Sequence, residues 1–419
     1  MRANRCVLIA AILGLAGISA CSASAPTAPS AASPANLSCA WPSQTSVQTS
    51  NLVMTDSTES VWYQPIVATP STVVRLSRHY PDARYFSLSV YTPSGNSFTG
   101  NGVGSSLPDY LIAASKGSIN PWQTASPTGG SYAINLSAAA APNRPNVLPL
   151  PPGTTSAHPG YLLYRVYDPA GGNTTHIPLP TISISHGPTT TPLRPCATRT
   201  TVWPPERPPT SPTSTPSKAA TPPPSTFFEP AAAQADGGEV ANADASYAEA
   251  YVIRPPANDV VVITGKAPTT APGEHPSPWP NPAEDMRYWS LCVGVGIAHL
   301  PTVVNQLPSG ATDYGCRNDT TTALDAAGNY TYVLGAESQR TEISMIPGAT
   351  FLPFDTTSTT KLYLLLLRDI LVNKNFGYAP QTPTTTDSSA AAVAAMGPYY
   401  PRIKTCPLAG LVQTGTANC

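Results

Sequence analysis

Charge is scarce in this chain. Only 11% of its 419 residues are Asp, Glu, Lys or Arg, and 22 basic against 23 acidic residues leave a net charge of −1. No basic stripe is present, which excludes nucleic acid as a partner, since its recognition rests on clustered Lys and Arg. Beyond the amino terminus, no apolar run approaches the roughly 20 residues that a membrane-spanning helix needs. The chain also lacks a G-x-S-x-G elbow, an H-E-x-x-H pair and a Walker loop. No cysteines stand at C-x-x-C spacing and no histidine pair accompanies them, so structural zinc is excluded. The six histidines (79, 158, 176, 186, 275 and 299) are scattered. Neither a metal nor a cofactor is expected.

Proline, in contrast, is abundant. Fifty prolines are too many for a helical protein, because each removes a donor and breaks a helix interior. With Val-, Thr- and Tyr-rich runs they point to short strands and long ordered loops. Gly100-Asn101-Gly102-Val103-Gly104 has a glycine rhythm but opens no helical pattern, so it reads as a hairpin loop rather than a phosphate cradle.

The first 20 residues have the zones of an export signal. Arg2 and Arg5 give the positive start, and Cys6 to Ile18 the apolar core. Ile18-Ser19-Ala20-Cys21 resembles the lipobox of a bacterial envelope lipoprotein, here of actinobacterial type. That resemblance implies acylation of Cys21, by chains such as palmitate, and a place on the outer face of the bacterial cell membrane after export. Each buried methylene contributes about 0.8 kcal/mol, so several chains on one cysteine hold a domain at a membrane. Residues 21–38, rich in Ser, Ala and Pro, read as a loose tether.

Residues 200–226 are nearly all Pro, Thr and Ser and form a semi-extended linker. The segments on either side of it match each other. Arg84-Tyr85-Phe86-Ser87-Leu88 answers Arg287-Tyr288-Trp289-Ser290-Leu291, and Asp109-Tyr110 answers Asp313-Tyr314. Gly130-Ser131-Tyr132 answers Gly328-Asn329-Tyr330, Val147-Leu148-Pro149 answers Phe351-Leu352-Pro353, and Tyr161 to Arg165 answers Leu362 to Arg368. The order is kept throughout, which marks a tandem duplication. Period-two alternation in Phe86, Leu88 and Val90 against Ser87 and Ser89 predicts a half-buried strand. The expected fold is all-β, with two tandem antiparallel, jelly-roll-like β-sandwiches at 39–199 and 227–419, each able to fold alone.

Six cysteines remain after the signal and Cys21, an even number that suits disulfides in an exported chain. Cys292 and Cys316 are both absent from the first copy, as a bonded pair should be, in the places of Ser89 and Ile112. Cys196 and Cys406 both follow the last strands of their copies. Cys39 then closes onto Cys196, and Cys406 turns to Cys419.

With these landmarks, the pattern resembles a bacterial domain of unknown function, the one catalogued as number 1214. Tyr288-Trp289-Ser290-Leu291, Gly130-Ser131-Tyr132, Asn146-Val147-Leu148-Pro149 and Tyr161 to Tyr167 carry the likeness, with Val147 where that family has tryptophan. It covers most of 60–185 and 245–375 and implies a jelly-roll-like sandwich with no established activity.

The repeated polar residues are the candidates for specific chemistry. Arg84 and Arg287 stand near Asp82 and Asp285, and read as structural Arg–Asp pairs pinning a strand entry or as corners for a carboxylate or sugar. Asp109, Tyr110, Asp313 and Tyr314 invite the same two readings. Nineteen tyrosines against 7 phenylalanines suit binding surfaces, sugar faces included, as well as half-buried strands. The leading expectation is a lipid-anchored, non-enzymatic binding or scaffolding module whose partner is an envelope protein or carbohydrate. The alternative is an envelope hydrolase or carbohydrate-modifying enzyme, which should show several polar side chains converging in a deep pocket.

Overall fold

The strand Ala83–Tyr91 is buried at all nine positions, and its counterpart Met286–Val295 at all ten. Alternation predicted one wet face for each. Both faces are instead dry, and the way the two copies meet accounts for it.

The computed structural model describes residues 39–49, 51, 54–125, 129–172, 177–199, 225–229, 241–271, 273–297, 300–380, 388–415 and 419. The signal segment, Cys21, the tether and nearly all of the linker lie outside them. No helix among the described residues is long and apolar enough to cross a membrane. The fold is all-β, in several mainly antiparallel sheets.

Each half contributes two main sheets. In the first, Glu59–Ile66, Gly160–Pro169, Ala83–Tyr91 and Ser106–Pro108 are neighbours in that order, extended by Ser43–Thr45 at one edge. In the second, Ala245–Ile253, Leu362–Val372, Met286–Val295 and Cys316–Asn318 repeat the order. The other sheet of the first half runs Thr181–His186, Thr72–His79, Ser131–Ser137, Val147–Leu148, and the second half matches it with Arg402–Pro407, Asp259–Lys266, Asn329–Gly335, Ala349–Pro353. Both copies even end in the same parallel pairing, at Val147–Leu148 and at Ala349–Pro353.

The core of the first half draws Trp62, Phe86, Leu88 and Tyr164 from one sheet and Val74, Leu76, Ile134 and Leu136 from the other. The second half does the same with Trp289, Leu291 and Leu365 against Ile263, Tyr332 and Leu334. Among them, Phe86, Leu88, Trp289 and Leu291 are positions that alternation assigned to the interior. The glycine-rich stretch is a small hairpin, Thr99–Gly100 with Val103–Gly104, turning through left-handed Asn101 and Gly102.

The disulfides join Cys39 to Cys196, Cys292 to Cys316 and Cys406 to Cys419, the same three pairs. Two of the equivalences expected between the copies differ in the structure. Ser89 pairs with Ser106 across the sheet where Cys292 pairs with Cys316, so Cys316 takes the place of Ser106, not of Ile112. The two serine hydroxyls lie 2.8 Å apart, a hydrogen bond where the second copy has a covalent one. Cys406 sits within Arg402–Pro407, the equivalent of Thr181–His186, whereas Cys196 follows the additional strand Thr189–Pro195.

Strand register corrects one landmark further. Pro108 lies opposite Ser87 and Asn318 opposite Ser290, so the equivalent of Asp109 is Asp319 rather than Asp313. Sequence spacing misled here because the hairpin ahead of that strand, Val304–Gln306 with Thr312–Tyr314, is longer than its counterpart Thr99–Gly100 with Val103–Gly104.

Candidate functional site

Arg84 and Arg287, 1% and 0% exposed, do not pair with Asp82 and Asp285. Each reaches into the opposite half. Arg84 Nε donates to the Arg287 carbonyl at 3.1 Å, and Arg287 Nη1 to the Arg84 carbonyl at 3.0 Å. Arg84 forms an ion pair with Asp319, and Arg287 with Asp109 at 3.3 Å. The exchange is reciprocal, as a pseudo-twofold contact between duplicated halves requires.

The same symmetry extends outward. Tyr85 OH donates to Asp244 at 2.7 Å and to Asn242 at 3.2 Å, while Tyr288 OH donates to Asp56 at 3.0 Å and lies 3.2 Å from the Thr58 hydroxyl. Asp56 also takes Ser290 Oγ at 2.5 Å and Arg368 Nη1 at 2.9 Å. Its carboxylate comes close to Cys292 and Cys316, but both sulfurs are in the disulfide and offer no thiolate to a metal. Tyr85, Tyr167, Tyr288 and Ile370 close the apolar part of the face.

Arg84, Asp109 and Arg287 are therefore joints between the halves, too deeply buried to meet a ligand. Asp313 and Tyr314 belong to the hairpin instead. Asp313 accepts from Arg317 at 2.9 Å and also pairs with Arg340, and Tyr314 OH accepts from Gln48 Nε2 at 3.4 Å. Half-buried Tyr110 packs beside the joint. His275, exposed, pairs with Asp82 at 2.8 Å, the aspartate expected beside Arg84.

The candidate site lies elsewhere, in a cleft of the second half. Trp289, Tyr330 and Asp369 line it with Met286 and Met396, and Phe376, Tyr378, Tyr399 and Lys266 complete it. Trp289 and Asp369 are direct partners across adjacent strands. Gly265 lies opposite Tyr330, where any β-carbon would run into the Tyr330 ring. The segment after Leu362–Val372 supplies the aromatic wall. Ser388 caps the helix Ser389–Met396 by accepting from Ala391 N at 3.1 Å, and Gly397 with φ +50° ends it. That short helix delivers Met396. Tyr378 stacks on Tyr399 at 5.5 Å, Phe376 meets Tyr399 edge-on at 5.0 Å, and Lys266 Nζ lies 5.0 Å from the centre of the Tyr399 ring.

Burial raises the Asp369 carboxyl to about 7, and burial likewise lifts Asp109 and Asp168 to about 7 despite their arginine neighbours. An acid whose folded-state value exceeds its unfolded one leaves the folded chain holding more protons between the two. Stability therefore declines as pH rises from about 4 to about 7. Replacing Asp369 with Val, the residue at the equivalent Val166, should stabilise the protein more at pH 8 than at pH 4, by a difference on the order of a few kcal/mol. Urea titrations at both pH values measure this, and an equal change at both would show that the carboxyl does not titrate as described.

Sequence reasoning passed over Asp369 because it sits in an apolar run. The signal was in the duplication: Arg165-Val166 against Arg368-Asp369, and Phe86 against Trp289. One copy keeps two apolar core residues where the other carries an indole and a carboxyl.

No family model matches the chain, and no curated protein does. A crystal structure of an uncharacterised Burkholderia cenocepacia protein is similar in fold, with a TM-score of 0.52 and 15% identity, covering 90% of this chain and 84% of that one. The crystal structure of the VPA0106 protein from Vibrio parahaemolyticus matches with a TM-score of 0.38 and 12% identity over 83% of this chain and 88% of that one. The first likeness concerns the fold alone.

Proposed function

We propose that this chain is an exported envelope lipoprotein, anchored through acylated Cys21 to the outer face of the bacterial membrane, that presents a ligand-binding module. The aromatic cleft around Asp369 carries the binding part of this reading. Its lining is mostly aromatic and aliphatic, with Lys266 and a single buried carboxyl as the charged groups, a composition that suits recognition of one polar group on a ligand. The three-zone signal and Ile18-Ser19-Ala20-Cys21 support the anchor. In this reading 1–20 is the signal, 21–38 the tether, and 39–199 and 227–419 are jelly-roll-like sandwiches in tandem about the 200–226 linker, akin to the domain of unknown function numbered 1214. The partner is an envelope carbohydrate or protein.

Cys21→Ala should move the protein from the membrane fraction to the soluble exported fraction. A variant that still pellets with membranes would remove the anchor from this reading. Binding is tested by thermal melts of the full chain, without its signal, against neutral sugars, simple amines and short peptides. A ligand that binds the folded state raises the melting point with concentration. No rise with any of the three classes would sink the binding module.

A further inference from the structure

Trp289 and Asp369 stand side by side on the core face, 1% and 4% exposed. Trp289 Nε1 has no hydrogen-bond partner among the described residues, and the Asp369 carboxyl, whose acidity burial weakens, forms no hydrogen bond or ion pair among them. A buried donor left unpaired costs about 1–3 kcal/mol, and a charged acceptor more. The first copy avoids this by having Phe86 and Val166 at both places, so the two polar groups occur together or not at all.

An indole N–H only donates and a carboxylate only accepts. A single oxygen serves both at once when it belongs to a hydroxyl or a water, accepting from Trp289 and donating to Asp369. An ammonium has nothing to accept with, and an anion nothing to donate. The space beside them is about 10 Å³, room for one oxygen. At the mouth, Tyr378 is 46% exposed and stacked on Tyr399, which offers a flat apolar face to a ring.

We infer that the cleft is a hydroxyl-recognising subsite for a neutral sugar, with one hydroxyl seated between Trp289 Nε1 and the Asp369 carboxylate and the sugar ring lying on the exposed Tyr378. This rests on the binding-module reading and names its ligand class.

The test is ligand-observed NMR at pH 8, where the Asp369 carboxyl is ionised, on the full chain without its signal, using D-glucose, D-galactose and D-mannose. Their fully O-methylated forms and tetramethylammonium chloride serve as controls. At least one free sugar should bind saturably, its O-methylated form should not, and Trp289→Phe and Asp369→Val should each weaken binding at least tenfold. Both variants restore the residue that the first copy carries, so they should fold, and circular dichroism melts check that they do. Equal binding of free and O-methylated sugars, or binding of tetramethylammonium alone, would overturn the hydroxyl inference and leave a binding module standing. If no probe binds and both variants merely melt higher, the space holds a resident water only, and the cleft is no binding site at all.

Discussion

Arg84→Ala should lower the unfolding free energy by roughly 3–5 kcal/mol, the range seen when one partner of a buried ion pair is removed. The side chain is 1% exposed and serves both halves, through Asp319 and the carbonyls of Ala271 and Arg287. Asp168, 3.7 Å away, would lose its counter-charge too. Truncation strands two carboxyls and two carbonyls where water cannot replace the guanidinium. Arg84→Met combined with Asp319→Leu should recover much of the loss, because apolar groups of similar size can substitute for a buried pair. Urea unfolding of the single and double variants gives the coupling. A loss below about 1 kcal/mol for Arg84→Ala, the size expected of an exposed pair, would show that the joint is open to solvent.

The larger effect should come from separating the copies. Expressed apart, 39–199 and 227–419 should each aggregate or melt far below the intact chain, and should recover a native melt when produced together. The face between them includes Tyr85, Tyr167, Tyr288 and Ile370, all buried, and no water-ready alternative exists for those rings. It also holds the Asp56 carboxylate of the first half, which accepts from Tyr288, Ser290 and Arg368 of the second. Main-chain bonds cross as well, with Met54 N donating to Leu300 O at 2.9 Å and Trp279 N to Trp122 O at 2.8 Å. Cleaving the 200–226 linker should accordingly leave two fragments that co-elute on size exclusion. Two monomeric halves, each melting as the intact chain does, would restore the view that they are independent domains.

Strand alternation and most of the landmark order were legible in the sequence because they depend on local spacing, and the three disulfide pairs were legible from comparison of the two copies, although Cys39 and Cys196 are 157 residues apart. Phe86, Leu88 and Val90 had to share a face once the chain was extended, and Trp289, Leu291 and Val293 had to do the same. The duplication then carried one strand order to both halves. What sequence spacing could not reach was the other face. Tyr85 and Ser87 look like solvent-side residues when one sheet is considered alone, and only docking of the second copy buries them. The carboxylate of Arg84 lies 235 residues away at Asp319, not at nearby Asp82, since proximity across a sheet-to-sheet face has no counterpart in sequence separation. Asp369 was hidden for the related reason that a single acid in an apolar run is neutral information until the neighbouring strand sets Trp289 beside it. Local backbone periodicity thus determined the elements and their inward faces, whereas the joint and the cleft were decided by which surfaces were left to be covered when the two copies closed on each other.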